Sequence, residues 1–134
     1  MFDISSVGLI DQATVELNDA AGRPLFNDDG ARCSITLYGP PSKEYQQAKS
    51  DLYRRMVNRQ IDGDNVLASI SPEEQQEMYA EFLASCTVSF DGFDYKGGQD
   101  FKAAYNDPAL EFVFDQVKGF VDSKANFTKG SDKT

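Results

Sequence analysis

The chain contains no histidine among its 134 residues. Histidine is the most frequent general base and metal ligand in proteins, so its absence excludes Ser-His and Cys-His nucleophile pairs and histidine-based metal sites. Carboxylate chemistry stays open, with Asp91, Asp94 and Asp100 as acidic residues that could cluster near one loop. We nevertheless predict a protein that is not an enzyme and that binds neither a cofactor nor a metal.

Cysteine and long apolar runs are also scarce. Cys33 and Cys86 are too few for a disulfide framework, which favours two buried thiols in a reducing cytoplasm over a disulfide between them. No run of about 18 apolar residues is present, so we expect no membrane span. Residues 1–11 have no basic start and no apolar h-region, so we expect no secretory signal.

Basic residues are in the minority, 13 against 22 acidic residues, and the net charge is −9. This charge weighs against nucleic acid or an anionic membrane as a partner and leaves a basic protein partner possible. The composition is 40% hydrophobic and 12% aromatic, which is typical of a chain that folds. The length fits a single domain spanning residues 1–134.

Residues 13–38 alternate between apolar and polar side chains, first over 13–17 and again over 33–38. A strong Asp-Gly turn at Asn27-Asp28-Asp29-Gly30 separates the two stretches. We therefore predict a small N-terminal antiparallel sheet over 13–38 with one covered face. The same turn offers a weak calcium hypothesis through Asn27 and Asp29, although the later ligands of a calcium loop are missing.

After Pro41 the apolar period changes to 3.6, which predicts helices near 42–60, 71–86 and 107–126. Ser71-Pro72 and Asp107-Pro108 both combine a capping side chain with proline at the first helical position. Residues 86–90 alternate like a short strand, and 99–105 fit one or two helical turns. The fold class is therefore α+β, with an arm at 1–12, the sheet at 13–38, a mainly helical part at 42–127 and a frayed tail at 128–134.

Three groups of apolar residues are candidate partner contacts. The arm contributes Phe2, Ile4 and Leu9, which dock either on this molecule or on another. The loop after the central helix contributes Phe90, Phe93 and Tyr95, and the last helix contributes Phe112 and Phe127. At ~100° per residue Phe112 lies off the main apolar stripe of the helix, so we expect it to face outward. Gly119 in the same helix suggests close approach of another element.

The first predicted helix carries five basic residues, Lys43, Lys49, Arg54, Arg55 and Arg59. They form either a solvated polar face or a basic stripe that meets an acidic partner. The glutamate-rich start of the next helix, at residues 73–77, is one such partner, and a second copy of the chain is another.

Several strings resemble the tail assembly chaperones of long-tailed bacteriophages. They are ATVEL, ITLYGPPSKEY before a charged helix, LASCTVSFDG at the centre, and DPALEFVFDQVKGFVDSKANF at the end. Related phage proteins show similar strands ending in Leu-Tyr-Gly before a Ser-Lys-Glu helix start. These are packing and turn patterns spread over most of the chain, and none of them is catalytic.

The resemblance implies a non-enzymatic role in tail morphogenesis. Proteins of this family bind the tape measure protein, help to recruit tail tube subunits around it, and are absent from the mature virion. The expected location is then the cytoplasm of the infected host, and self-association is possible. The alternative is an acidic inhibitor that mimics nucleic acid and blocks a host DNA-binding protein, which rests on the net charge alone.

Overall fold

The computed structural model describes residues 2–61 and 71–128, with the side chains of 59–61 excepted. The turn predicted at Asp62-Gly63 and the tail from residue 129 onward lie outside these residues. Everything below refers to the described part of the chain.

The described residues form one antiparallel sheet of three strands in the order β1-β2-β3. The strands are β1 (Gln12–Glu16), β2 (Ser34–Tyr38) and β3 (Thr87–Asp91). The predicted sheet over 13–38 supplies β1 and β2, and the α+β fold class is confirmed. The third strand comes from within the segment assigned to the helical part, and it makes β2 the central strand.

The described residues also form four α-helices: α1 (Lys43–Ile61), α2 (Pro72–Ser85), α3 (Phe101–Tyr105) and α4 (Glu111–Asp122). The first two match the predicted helices within one residue at each end. The third predicted helix, 107–126, is divided into a 3-10 turn at Pro108–Leu110, α4, and a second 3-10 turn at Lys124–Phe127. A further 3-10 turn, Ile4–Val7, lies in the arm.

The helix starts use the capping groups that the sequence indicates. Ser71 Oγ accepts a hydrogen bond from Glu74 N at 3.1 Å, which satisfies one of the free amides at the start of α2. Asp107 accepts from Ala109 N at 2.9 Å, and this short-range bond closes the 3-10 turn ahead of α4. The predicted last helix therefore begins as a 3-10 turn.

The core lies between the helices and one face of the sheet. Alternate residues of β1 and β2 point into it, as the period-2 pattern predicts. Helices α2 and α4 add the apolar sides of their surfaces, and Tyr45 of α1 packs against them. The main cluster of buried core residues consists of Val15, Leu17, Ile35, Leu37, Ala80, Leu83, Phe90, Ala104, Tyr105, Val113, Phe114, Val117 and Val121.

Three distant parts of the chain meet at Gly39. The Gly39 amide donates to Asp11 O at 2.8 Å, and the Ile10 amide donates to Phe127 O at 2.6 Å. A Cβ atom at Gly39 would collide with Ile10 O and would lie 2.8 Å from the Phe127 ring. Only glycine allows this approach, so the Leu-Tyr-Gly sequence at the end of β2 has a steric explanation.

The surroundings of Gly119 differ from those that the sequence predicts. It is exposed on α4, and a Cβ atom there would meet no atom within 4 Å. The expectation that another element approaches Gly119 closely is wrong, because the packed side of α4 is formed by its valines and Phe114.

These two glycines generate a paired prediction. Gly119→Ala should raise the free energy of unfolding by about 0.5–1 kcal/mol, because alanine restricts the unfolded chain and fits the open helix surface. Gly39→Ala should lower it by more than that, since the arm base and the Phe127 ring must shift. Urea denaturation followed by circular dichroism measures both. If Gly119→Ala is destabilising, or if Gly39→Ala is neutral, the open surroundings of Gly119 or the tight packing at Gly39 would be contradicted.

Both cysteines are buried free thiols, as the sequence analysis expects. Burial raises the pKa of Cys33 and raises the pKa of Cys86 to about 12. Only the thiolate is nucleophilic, so neither side chain is suited to chemistry at neutral pH.

Both thiols should therefore resist iodoacetamide at pH 8 until the protein is denatured. The unfolded Cys86 thiol titrates near 9 and the folded one near 12, so above pH 9 the unfolded state loses its proton first. The contribution of Cys86 to the free energy of unfolding should be constant below pH 9 and decrease from pH 9 to pH 12. Urea titrations of the parent protein and Cys86→Ala at pH 8 and pH 10 isolate this contribution. If the free energy of unfolding changes equally with pH in both proteins, the expectation is wrong.

Candidate functional site

An open apolar groove lies between α1, α2 and the end of α4. It has a volume of about 250 Å³. We call it the aromatic groove, and its apolar lining consists of Tyr45, Leu52, Tyr53, Met56, Tyr79 and Phe82. Lys49 and Asp122 complete the lining with one charge of each sign.

Ring contacts fix the groove. The Tyr45 and Phe82 rings meet edge to face with centroids 5.8 Å apart, which ties α1 to α2. Lys118 Nζ lies 5.1 Å from the Tyr79 ring centroid and pairs with Asp122 at 3.3 Å. Partial burial, with smaller effects from Cys86 and Asp122, raises the pKa of the Tyr45 hydroxyl. The groove is thus a preformed surface held by ring contacts between its walls.

The outer side of α1 extends the groove into solvent. Tyr53 of this helix is 61% exposed, and Val57, one turn later, is 49% exposed. Single exposed apolar residues are common on proteins, whereas neighbouring ones beside an apolar groove mark an interaction surface. Tyr53 and Val57 therefore belong with the candidate site.

The arm is the second exposed apolar feature. Phe2 is 70%, Ile4 76% and Val7 60% exposed. Asp3 accepts hydrogen bonds from the amide and hydroxyl of Ser5, which stabilises the 3-10 turn and lowers the pKa of the Asp3 carboxyl. The structure thus leaves the predicted contacts Phe2 and Ile4 in solvent.

Leu9, the third predicted contact of the arm, is half-buried. It precedes Ile10, whose amide is bonded to Phe127 O. The arm is therefore anchored at its base while its first residues are free to contact another surface.

Two of the predicted contacts are core residues, and their assignment to a partner surface is wrong. Phe90 is 5% exposed because β3 pairs with the central strand and places this ring under the helices. Its centroid lies 4.8 Å from each of the Phe93 and Phe101 centroids. Phe127 is fully buried, since the last 3-10 turn folds back onto the arm base.

The outward orientation expected for Phe112 is also wrong. This ring is half-buried and packs against the core. The loop after β1 covers this side of α4. Asn18 N donates to Gln116 Oε1 at 2.8 Å, and Gln116 Nε2 donates to both Asn18 O and Phe112 O at 2.9 Å. A helical wheel contains no information about such a loop.

The loop aromatics Phe93 and Tyr95 are half-buried and pack against the core. The Tyr95 hydroxyl donates to Asp107 at 3.0 Å. These two residues mainly join the loop after β3 to the start of the last helical segment, so they are weaker contact candidates than the groove.

The carboxylates considered for catalysis have structural hydrogen bonds. Asp91 accepts from Thr36 Oγ1 at 2.6 Å, and Asp94 accepts from Gln99 Nε2 at 3.1 Å. Asp100 accepts from the Ala103 amide and caps α3. The local folding of these segments explains the positions of all three.

The Asn27 side chain occupies the turn that suggested calcium. Its Oδ1 accepts from the amides of Asp29 and Ala31, both at 2.9 Å, and its Nδ2 donates to Gly92 O at 2.9 Å. The amide thus closes the turn and joins it to the end of β3. Among the described residues, no group of three acidic or cysteine side chains is arranged to hold a metal ion.

One residue of the basic stripe of α1, Arg55, meets acidic residues of another helix of this chain. Arg55 pairs with Glu81 at 2.7 Å and with Glu77 at 3.3 Å, and Lys102 lies within 4 Å of both carboxylates. For Arg55 the predicted acidic partner is therefore the neighbouring helix α2. Each exposed pair contributes at most about 1 kcal/mol, so this cluster aligns α1, α2 and α3 more than it stabilises them.

No protein-family model, curated protein or solved structure matches this chain. In the described residues, no helix is both long enough and apolar enough to cross a membrane. The groove, the arm and the residues that build them are the features of the molecule that bear on its function.

The corrected assignments predict opposite effects for two aromatic residues. Phe90→Ala should lower the free energy of unfolding by about 3–5 kcal/mol, because it removes a buried ring with several ring neighbours. Tyr53→Ser should change it by no more than about 0.5 kcal/mol, as is typical of surface positions. Guanidinium denaturation measures the free energy of unfolding of both variants. A comparable decrease in the two would contradict the assignment of Phe90 to the core and of Tyr53 to the groove.

Proposed function

We propose that this protein is a non-enzymatic tail assembly chaperone of a long-tailed phage. In this role it binds the tape measure protein and helps to recruit tail tube subunits in the host cytoplasm, and it is absent from the mature virion. The observation that carries the proposal is the aromatic groove, which is open beside the exposed Tyr53 and Val57. The sequence resemblance to this family supports the choice of the tape measure protein as the client.

The groove suits an amphipathic helix of a client. Recognition of this kind uses apolar anchors at i, i+3, i+4 and i+7 that lie in a hydrophobic groove between helices. Tyr, Met and Leu side chains supply adaptable apolar area, and the charged Lys49 and Asp122 provide a polar rim. A long helix-rich client such as a tape measure protein offers many such segments.

The net charge supports the same role. At −9 it keeps a complex with an apolar client in solution. The alternative, an acidic mimic of nucleic acid, gains no support from the carboxylates. Glu77 and Glu81 pair with basic residues, and Asp100 and Asp107 cap turns. Such pairing reduces the negative field that a mimic must present.

The proposal is tested by co-expression with the tape measure protein of the same phage. Tyr53→Asp places a charge at the groove and should weaken binding by about tenfold or more, since central aromatic residues dominate interface energies. Less of the client should then stay soluble and co-purify with the chaperone.

Asn58→Asp is the matched control. It adds the same charge to an exposed position of α1, about 140° around the helix from Tyr53 at ~100° per residue. This variant should bind the client as the parent protein does. Equal client binding by Tyr53→Asp and Asn58→Asp would remove the groove as the contact, and no co-purification with the parent protein would refute the proposed function.

A further inference from the structure

We infer that the N-terminal arm of one molecule docks in the aromatic groove of a second copy, so that two molecules associate by exchanging arms. The contact uses the groove assigned above to the client but does not depend on that assignment. Both halves of the interface are present in the described part of this chain, as an exposed apolar segment and an open apolar groove.

The arm presents its apolar side chains as one unit. A 3-10 helix has three residues per turn, so Ile4 and Val7 lie on the same side of the turn Ile4–Val7. Phe2 precedes this turn and is equally exposed. The Asp3 cap and the bond from Gly8 N to Ser5 O at 3.2 Å hold the turn closed. A preformed apolar turn loses little conformational freedom on docking.

The base of the arm directs it away from the core. The Ile10 amide is bonded to Phe127 O, and Asp11 O accepts from Gly39 N, so the backbone direction is fixed there. Beyond that point Phe2, Ile4 and Val7 are each at least 60% exposed. They are free for another molecule.

Charge favours the same pairing. Residues 2–11 contain two acidic residues, Asp3 and Asp11, and no basic residue. The groove contains Lys49, which forms no ion pair among the described residues. The acidic residue of the groove, Asp122, is paired with Lys118. An acidic arm beside Lys49 therefore offsets part of the repulsion between two molecules of net charge −9.

Reciprocal exchange also limits the size of the assembly. Each molecule has one arm and one groove, so two molecules that exchange arms satisfy both contacts at once and form a closed two-fold dimer.

Analytical ultracentrifugation over a concentration series tests the inference with two variants and a control. The parent protein and Asn58→Asp should both dimerise. Ile4→Asp, with a defective arm, and Tyr53→Asp, with a defective groove, should each be monomeric. The Ile4→Asp chain has an intact groove, and the Tyr53→Asp chain has an intact arm. In an equimolar mixture the arm of Tyr53→Asp should dock in the groove of Ile4→Asp and form a heterodimer.

A disulfide trap identifies the contact in that mixture. Val7→Cys is added to the Tyr53→Asp chain, and Val57→Cys is added to the Ile4→Asp chain. Mild oxidation should link the two chains, while the buried Cys33 and Cys86 stay reduced. Circular dichroism confirms that each variant is folded.

Three results would overturn the inference: a monomeric parent protein at all concentrations, dimers of Ile4→Asp as stable as the parent dimers, or no linked heterodimer. A chain carrying both Val7→Cys and Val57→Cys that links only within itself would assign the arm to its own groove instead. No client is present in these experiments, so their failure is distinct from failure of the chaperone proposal.

Discussion

The backbone contact at Gly39 determines the arrangement of the rest of the molecule. There the end of the central strand passes the arm base and the last 3-10 turn so closely that a Cβ atom has no room. The next residues continue the constraint, because Ser42 Oγ donates to Gly39 O at 2.8 Å and accepts from Tyr45 N at 3.0 Å. One junction therefore fixes where the arm leaves the core and where α1 begins.

The position of α1 then explains the groove. Among its described side chains Ala48 is buried, while Tyr45, Leu52 and Met56 are half-buried. Helix α2 covers only part of this apolar face, and the Arg55 ion pairs set the alignment of the two helices. The remaining apolar surface stays open beside Tyr53. A helix that is joined to the core along one side and apolar beyond it is suited to bind a partner.

Local signals in the sequence predicted much of the fold. The cap at Ser71, the period-2 pattern of β1 and β2 and the change of period after Pro41 each depend on residues close in sequence, so they can be read without the fold. The third strand pairs with β2, which lies about fifty residues earlier in the chain, and only long-range pairing reveals that. The alternating pattern at 86–90 correctly predicts a strand, but it does not indicate which strand pairs with it.

The candidate site was less predictable for the same reason. Phe90 and Phe127 look like spare aromatic residues in the sequence, and tertiary contacts bury both. Phe112 is covered by a loop from the other end of the chain. The apolar spacing of α1 does not single out Tyr53 and Val57, because a helical wheel shows which residues share a side but not how much of that side a neighbouring element covers.

The central claim is that the groove beside Tyr53 is the surface that binds the client. Photocrosslinking during phage growth tests it most directly, with a photoreactive amino acid placed at position 53 and, as the control, at position 58. The account predicts a crosslink from position 53 to the tape measure protein and none from position 58. Equal crosslinking from both positions, or a crosslink to the client from position 58 alone, would contradict it.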